Sequence, residues 1–155
     1  CVLLGSDQGR TEYRAELEAM IEKLNLTGQV RIIDNCNDMP AAYMISSVVV
    51  SASTDPEGFG RVPVEAQAMG RPIIATDHGG AQETILRGET GWLIPPNDAP
   101  ALSEAIRQAL ALTPQQRAVL ATKSMNHVAM NFTREKMCQE TLAVYAELLQ
   151  EKYGR

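Results

Sequence analysis

The sequence predicts an α/β domain built on a doubly wound parallel sheet, and three observations carry that expectation. Short apolar runs alternate with segments of helical periodicity about five times along the chain. The run Ser47-Val48-Val49-Val50-Ser51 shows no polar–apolar alternation, as a strand covered on both faces requires. With 155 residues, 45% of them apolar and 21% charged, the composition is that of one compact globular domain whose core needs no disulfide or metal to hold it.

Taken in order, Cys1-Val2-Leu3-Leu4 reads as a buried apolar strand that runs into the loop Gly5-Ser6-Asp7-Gln8-Gly9. A strand of that kind needs neighbours on both sides, and no initiator Met precedes it. The chain is therefore expected to be a piece of a longer one, beginning inside a sheet. Glu12 to Leu24 places Ala15, Leu17, Met20, Ile21 and Leu24 at helical spacing among charges, with Glu12, Glu16, Glu18 and Glu22 as a solvated face. Val30 to Ile33 is a second strand, and Asp38 and Pro40 mark the start of a short helix through Met44. After the Val run come a helix from Pro63 to Met69, a strand from Pro72 to Ala75, a short helix from Ala81 to Leu86 and a strand from Gly91 to Ile94. The remainder is a helical tail: Ala99 to Ala111, Pro114 to about Asn131, and Arg134 to Tyr153, with Asn97-Asp98 and Thr113-Pro114 as caps.

Fourteen basic against nineteen acidic residues give a net charge of -5, spread along the chain, which disfavours a surface for duplex nucleic acid. No run approaches the roughly eighteen apolar residues of a membrane-spanning helix. Cys1, Cys36 and Cys138 are odd in number, far apart and without Cys-x-x-Cys spacing, so they read as free, packed thiols in a reducing cytoplasm and not as a metal site.

In a doubly wound, Rossmann-like sheet, ligands bind beyond the carboxyl ends of the strands. One such loop is far richer than the others: Ala52-Ser53-Thr54-Asp55-Pro56-Glu57-Gly58-Phe59-Gly60-Arg61-Val62-Pro63-Val64-Glu65. Two glycines flank Phe59 directly before a helix, so the peptide can approach a ligand closely and offer amide groups to it. The helix N-terminus favours a phosphate, and Arg61 can add a bidentate contact. Glu65, one turn into the helix, suits a pair of neighbouring ribose hydroxyls, while Glu57 can face another polyhydroxyl group. Both carboxylates are expected to face one cleft. His78, beside Gly79-Gly80, reads as a strand-end residue near the site or a solvated loop histidine. Trp92 reads as core near the site mouth, His127 as a packing or surface residue, and Met125, Met130 and Met137 as core filler.

From Glu57 through Glu83 the sequence resembles the Glu-x7-Glu signature of family 4 glycosyltransferases, with the following Gly70-Arg71-Pro72 strand start and the Gly79-Gly80 loop. Thr90-Gly91-Trp92-Leu93-Ile94-Pro95 and the helical tail continue the likeness over nearly the whole chain. The resemblance implies that residues 1–155 are part of the C-terminal, donor-binding half of a GT-B enzyme, with the N-terminal acceptor domain and first strand or strands outside it. It implies transfer of a hexose from a nucleoside diphosphate sugar to a glycan or lipid-linked acceptor, with retention, without a metal and without any cofactor. In that family Glu57 would contact the hexose, Gly58, Phe59 and Gly60 would lay amides against hexose and phosphate, Arg61 and Val62 would lie at the diphosphate, and Glu65 would hold the ribose. The base would stack near Asp34 and Asn35. The Arg and Lys that clamp the diphosphate in the family fall upstream of Cys1. The resemblance therefore implies weak nucleotide binding and negligible transfer by these residues alone, and, for the whole enzyme, a place in the cytoplasm or at the cytoplasmic membrane face, in cell-envelope polysaccharide synthesis.

Rival readings are a nucleotide-sensing module without transfer, another GT-B enzyme such as a nucleotide-sugar epimerase or a glycan phosphorylase, and a nicotinamide-binding domain. The last conflicts with Gly5-Ser6-Asp7-Gln8-Gly9, which lacks Gly-x-Gly-x-x-Gly spacing. The phosphorylase would need a lysine motif for pyridoxal phosphate that the sequence does not show.

Overall fold

The computed structural model describes residues 1–7 and 9–153. The chain falls into two compact units, Cys1–Ala42 and Tyr43–Arg155. In the first, β1 (Val2–Leu4) pairs in parallel with β2 (Arg31–Ile33), Leu3 opposite Ile32, and α1 (Thr11–Lys23) makes the crossover. A left-handed Asn25 and Gly28 turn the chain from α1 back to β2. The expected burial of β1 is not seen: Val2 is 54% exposed, and Leu3 and Leu4 are exposed as well. The physical reason is that β1 has one hydrogen-bonded neighbour among the described residues, β2, where a covered strand needs two. Likewise α1 has the predicted periodicity but no buried residue. The helix α2 (Met39–Ile45), capped by Asp38, whose carboxylate accepts from the Ala41 N–H at 3.0 Å, spans the division between the units.

The second unit holds a three-stranded parallel sheet in the order β3-β4-β5, formed by Val49–Ser51, Ile73–Thr76 and Trp92–Ile94. Among the described residues the strands pair in parallel throughout, as the sequence predicts for this class of fold, two in the first unit and three in the second. The covered position belongs to β4, whose four residues are all buried between its neighbours. The Val run forms the edge of its ladder, and Val50 is 40% exposed, so the cover expected on both its faces is incomplete.

The helices α3 (Arg61–Ala68), α4 (Ala81–Thr84) and α5 (Ala99–Leu110) follow β3, β4 and β5 in turn, and α6 (Pro114–Asn131) and α7 (Arg134–Tyr153) complete the tail. Ile74 and Ile94 meet Ala105 and Ala109 of α5, with Trp92, Leu102 and Ile106 around them. The small alanines let α5 lie close on the sheet. The caps are where the sequence places them: Asp98 accepts from the Ala101 N–H, and Thr113 and Gln116 form a capping box. Of the thiols, Cys36 is half-buried but Cys1 and Cys138 are exposed, and Met125, Met130 and Met137 are exposed too, which corrects their assignment to the core. Cys1 precedes β1, Met125 and Met130 lie on α6, and Met137 and Cys138 lie on α7.

Candidate active site

The loop from β3 to α3 is fixed from its base upward. The Ser53 carbonyl accepts from the Thr76 hydroxyl at 2.8 Å and is bonded to His78 Nε2 at 3.0 Å, so two side chains at the carboxyl end of β4 tie down the loop's first turn. The Ser53 hydroxyl in turn donates to Glu57 Oε1. A serine four residues ahead of the carboxylate therefore sets the orientation of Glu57.

Gly79 and Gly80 bring the loop after β4 against this segment. The Gly80 N–H donates to the Glu57 carbonyl at 2.8 Å. A Cβ at Gly80 would stand 2.2 Å from the Phe59 carbonyl oxygen, and one at Gly79 2.5 Å from that of Glu57. Two backbones pass so closely that only glycine fits.

Gly60 takes the left-handed conformation (φ 76°) and begins α3 without a side-chain cap. The first N–H groups of a helix have no partner within it, and Pro63 has none to offer, so the amides of Arg61 and Val62 carry the positive end of α3. Glu65 accepts twice at Oε1 from Arg61, through Nε at 3.1 Å and a terminal nitrogen at 2.9 Å. Its Oε2 accepts from the Tyr43 hydroxyl at 2.8 Å. Burial first, then the bond to Glu65, pushes the Tyr43 phenol well above its ordinary 10, so it remains a neutral donor.

Glu57, Ser53, Gly60, Pro63, Thr76 and His78 line a narrow crevice at the ends of β3 and β4. Phe59, Arg61 and Glu65 line a broader cleft of about 640 Å³, closed by Phe132, Arg134 and Met137 at the α6–α7 junction. The two glutamates thus occupy two depressions where the sequence suggested one cleft, and the peptide Phe59-Gly60-Arg61 contributes to both. Phe59, 49% exposed, packs edge-on against Phe132 with ring centroids 5.8 Å apart, and Phe132 packs against His127 at 5.3 Å. Gly58 is exposed and Val62 half-buried.

Asp34 and Asn35 belong to the first unit, just past β2, where Arg14 holds the Asp34 carboxylate at 2.5 Å. Trp92 donates to Gln108 Oε1 at 3.1 Å and packs with the α5 cluster, a structural role. Sequence reasoning passed over Ser53, Tyr43, Thr76 and Phe132. Ser53 lies within the loop it singled out, but Tyr43 lies 22 residues before Glu65, and no spacing rule joins them. Among the described residues, no group of three or more His, Cys, Asp or Glu side chains could hold a metal ion.

Architecture and site together define an α/β domain whose charged and amide groups gather beyond the carboxyl ends of β3 and β4. The family described as "Glycosyl transferases group 1" matches residues 1–125, and the chain belongs to that family. It is 31% identical, over 88% of its length, to a lipopolysaccharide core biosynthesis mannosyltransferase, LpcC, of Rhizobium leguminosarum bv. viciae, and covers 38% of that protein. Among solved structures it is similar to a glycosyltransferase from Rickettsia africae (TM-score 0.92, 32% identity, 97% of this chain and 40% of that one). It is also similar to Anabaena Alr3699/HepE in complex with UDP-glucose (TM-score 0.88, 28% identity, 94% of this chain and 40% of that one). The chain therefore spans about two fifths of the length of these proteins, and its fold is that of the C-terminal, Rossmann-like part of the GT-B architecture with a helical tail.

Proposed function

We propose that this chain is the donor-binding part of a retaining hexosyltransferase that uses a nucleoside diphosphate sugar and no metal or other cofactor. The observation that carries the reading is the pair of pre-oriented carboxylates, Glu57 held by Ser53 and Glu65 held by Tyr43 and Arg61, on either side in sequence of the Gly58–Gly60 peptide and the start of α3. A nucleotide sugar has polyhydroxyl groups at both ends of a diphosphate. Two depressions that share the Phe59-Gly60-Arg61 peptide suit such a molecule, with the sugar toward Glu57 and the ribose at Glu65. UDP-glucose bound to the similar Anabaena protein supports that ligand class.

In this mechanism the diphosphate lies on the amides of Arg61 and Val62, with Gly58, Phe59 and Gly60 along the sugar and phosphate. Arg61, whose side chain is 83% exposed, turns from Glu65 to the phosphate oxygens. Negative charge grows on the diphosphate as the glycosidic bond breaks, and preorganised N–H groups stabilise it without reorganisation. Glu57 orients the hexose and stabilises positive charge at the anomeric carbon. The acceptor hydroxyl attacks from the leaving-group face while a diphosphate oxygen takes its proton. The acceptor, a glycan or lipid-linked glycan, is supplied against this site by an N-terminal domain of the whole enzyme, in the cytoplasm or loosely at its membrane face.

Calorimetry with UDP and transfer assays on the full-length enzyme test the proposal together. Glu65→Gln is expected to weaken UDP binding about tenfold, the effect of losing one charge-assisted hydrogen bond. Glu57→Gln should leave UDP affinity nearly unchanged and reduce transfer by a factor of about a hundred or more. A covalent glycosyl adduct trapped on Glu57 would overturn the mechanism, and unaltered UDP affinity in Glu65→Gln would overturn the ribose assignment.

A further inference from the structure

We infer that Tyr43 is the positioning residue that gives Glu65 its preference for a vicinal diol, an inference that rests on the reading of Glu65 as the ribose-binding carboxylate. Glu65 projects from the second turn of α3, where free rotation would leave its carboxylate plane undefined. Two groups fix it. Arg61 is the weaker restraint, because it lies four residues back on the same helix with its side chain 83% exposed, and exposed pairs of this kind contribute little. Arg61 is also the group the diphosphate recruits.

Tyr43 is different in each respect. It is 5% exposed, sits on α2 and not on α3, and reaches Glu65 Oε2 at 2.8 Å. A ring buried to that degree has little freedom to follow the carboxylate, so the carboxylate follows the ring. The hydroxyl occupies one lone pair of Oε2 and leaves the other open. Once Arg61 departs, Oε1 is open as well. The carboxylate then presents one acceptor on each oxygen, the pattern that two adjacent hydroxyl donors require. Without Tyr43 the same carboxylate can rotate, and it accepts one hydroxyl as readily as two.

The test compares the binding of UDP and 2′,3′-dideoxy-UDP to the purified protein by calorimetry, in wild type and Tyr43→Phe, with unfolding midpoints recorded beside them. Wild type is expected to prefer UDP by about tenfold, the worth of a charge-assisted hydrogen bond. Tyr43→Phe should weaken UDP five- to tenfold and the dideoxy analogue less than twofold, so that the preference closes. In a Glu65→Gln background the same substitution should change neither affinity by more than twofold. An equal loss for both nucleotides, or a preference that persists in Tyr43→Phe, would overturn the inference. Equal affinities in wild type would instead sink the ribose reading of Glu65, and the inference with it. Should Tyr43→Phe unfold, Tyr43→2,3,5,6-tetrafluorotyrosine keeps the ring and makes the hydroxyl more acidic. The preference for UDP must then fall as pH is raised, in that variant and not in wild type, and a pH-independent preference would refute the proposal.

Discussion

At the scale of single residues, the site depends on atoms that carry no chemistry of their own. Gly80 is the clearest case, because an added methyl would meet the Phe59 carbonyl at 2.2 Å, and a backbone carbonyl cannot swing aside as a side chain can. Gly80→Ala must therefore displace the Glu57–Gly60 loop, at a cost of about 1–3 kcal/mol in folding stability. Urea denaturation should register that loss, and calorimetry should show weaker UDP binding in the same variant. Gly58 supplies the control: a Cβ there meets nothing within 4 Å, so Gly58→Ala is expected to leave stability within about 0.5 kcal/mol of wild type. The sequence makes both glycine pairs visible as loop residues. It does not reveal that Gly79 and Gly80 exist for the sake of Glu57 and Phe59, because that requirement arises only when two loops distant in the chain cross.

At the scale of elements, the α6–α7 junction borders the site with Phe132, Arg134 and Met137, and Phe132 makes an aromatic contact with the loop. Phe132 closes α6 with its N–H bonded to the Val128 carbonyl at 2.8 Å, and its ring makes edge-on contacts with both Phe59 and His127. Aromatic pairs in this arrangement contribute about 0.5–1.5 kcal/mol beyond the area they bury. Phe132→Ala should free the Phe59 ring and weaken UDP-glucose binding by about three- to tenfold, the affinity equivalent of that contact. Phe132→Tyr keeps the ring and should bind as wild type does, and a loss in Phe132→Tyr as large as in Phe132→Ala would show that the ring contact is not what matters. Helix positions and caps were legible because each is a local signal: Asp38, Asp98 and the Thr113–Gln116 pair bond within their own first turns. What covers each helix was not. Periodicity marks the apolar stripe of α1 and of α7, yet neither helix buries a residue, since a stripe specifies a face and not its partner.

At the scale of the whole molecule, burial is distributed unequally between the two units. No described residue of the first is fully buried, whereas β4 of the second is buried throughout, with Ile73 and Ile74 at 0% exposure. Alternation of strands and helices announces the α/β class equally well from both parts, because it reports period and length. It cannot rank their stability, which depends on how much apolar surface each removes from water. Local opening should follow that ranking, since segments with little buried apolar surface open at lower free energy than the core. Native-state hydrogen exchange on this chain is therefore expected to protect the amides of β4 and α3 most strongly, with those of β1 and β2 exchanging through an opening of lower free energy. Ile73→Ala, which empties a site at the centre of the sheet, should cost about 2–5 kcal/mol and lower protection throughout β3, β4 and β5. Under the same conditions its effect on β1 and β2 should be small, because their amides already exchange without global unfolding. Equal protection of the two units in wild type, falling together in Ile73→Ala, would show that the chain opens as one cooperative body.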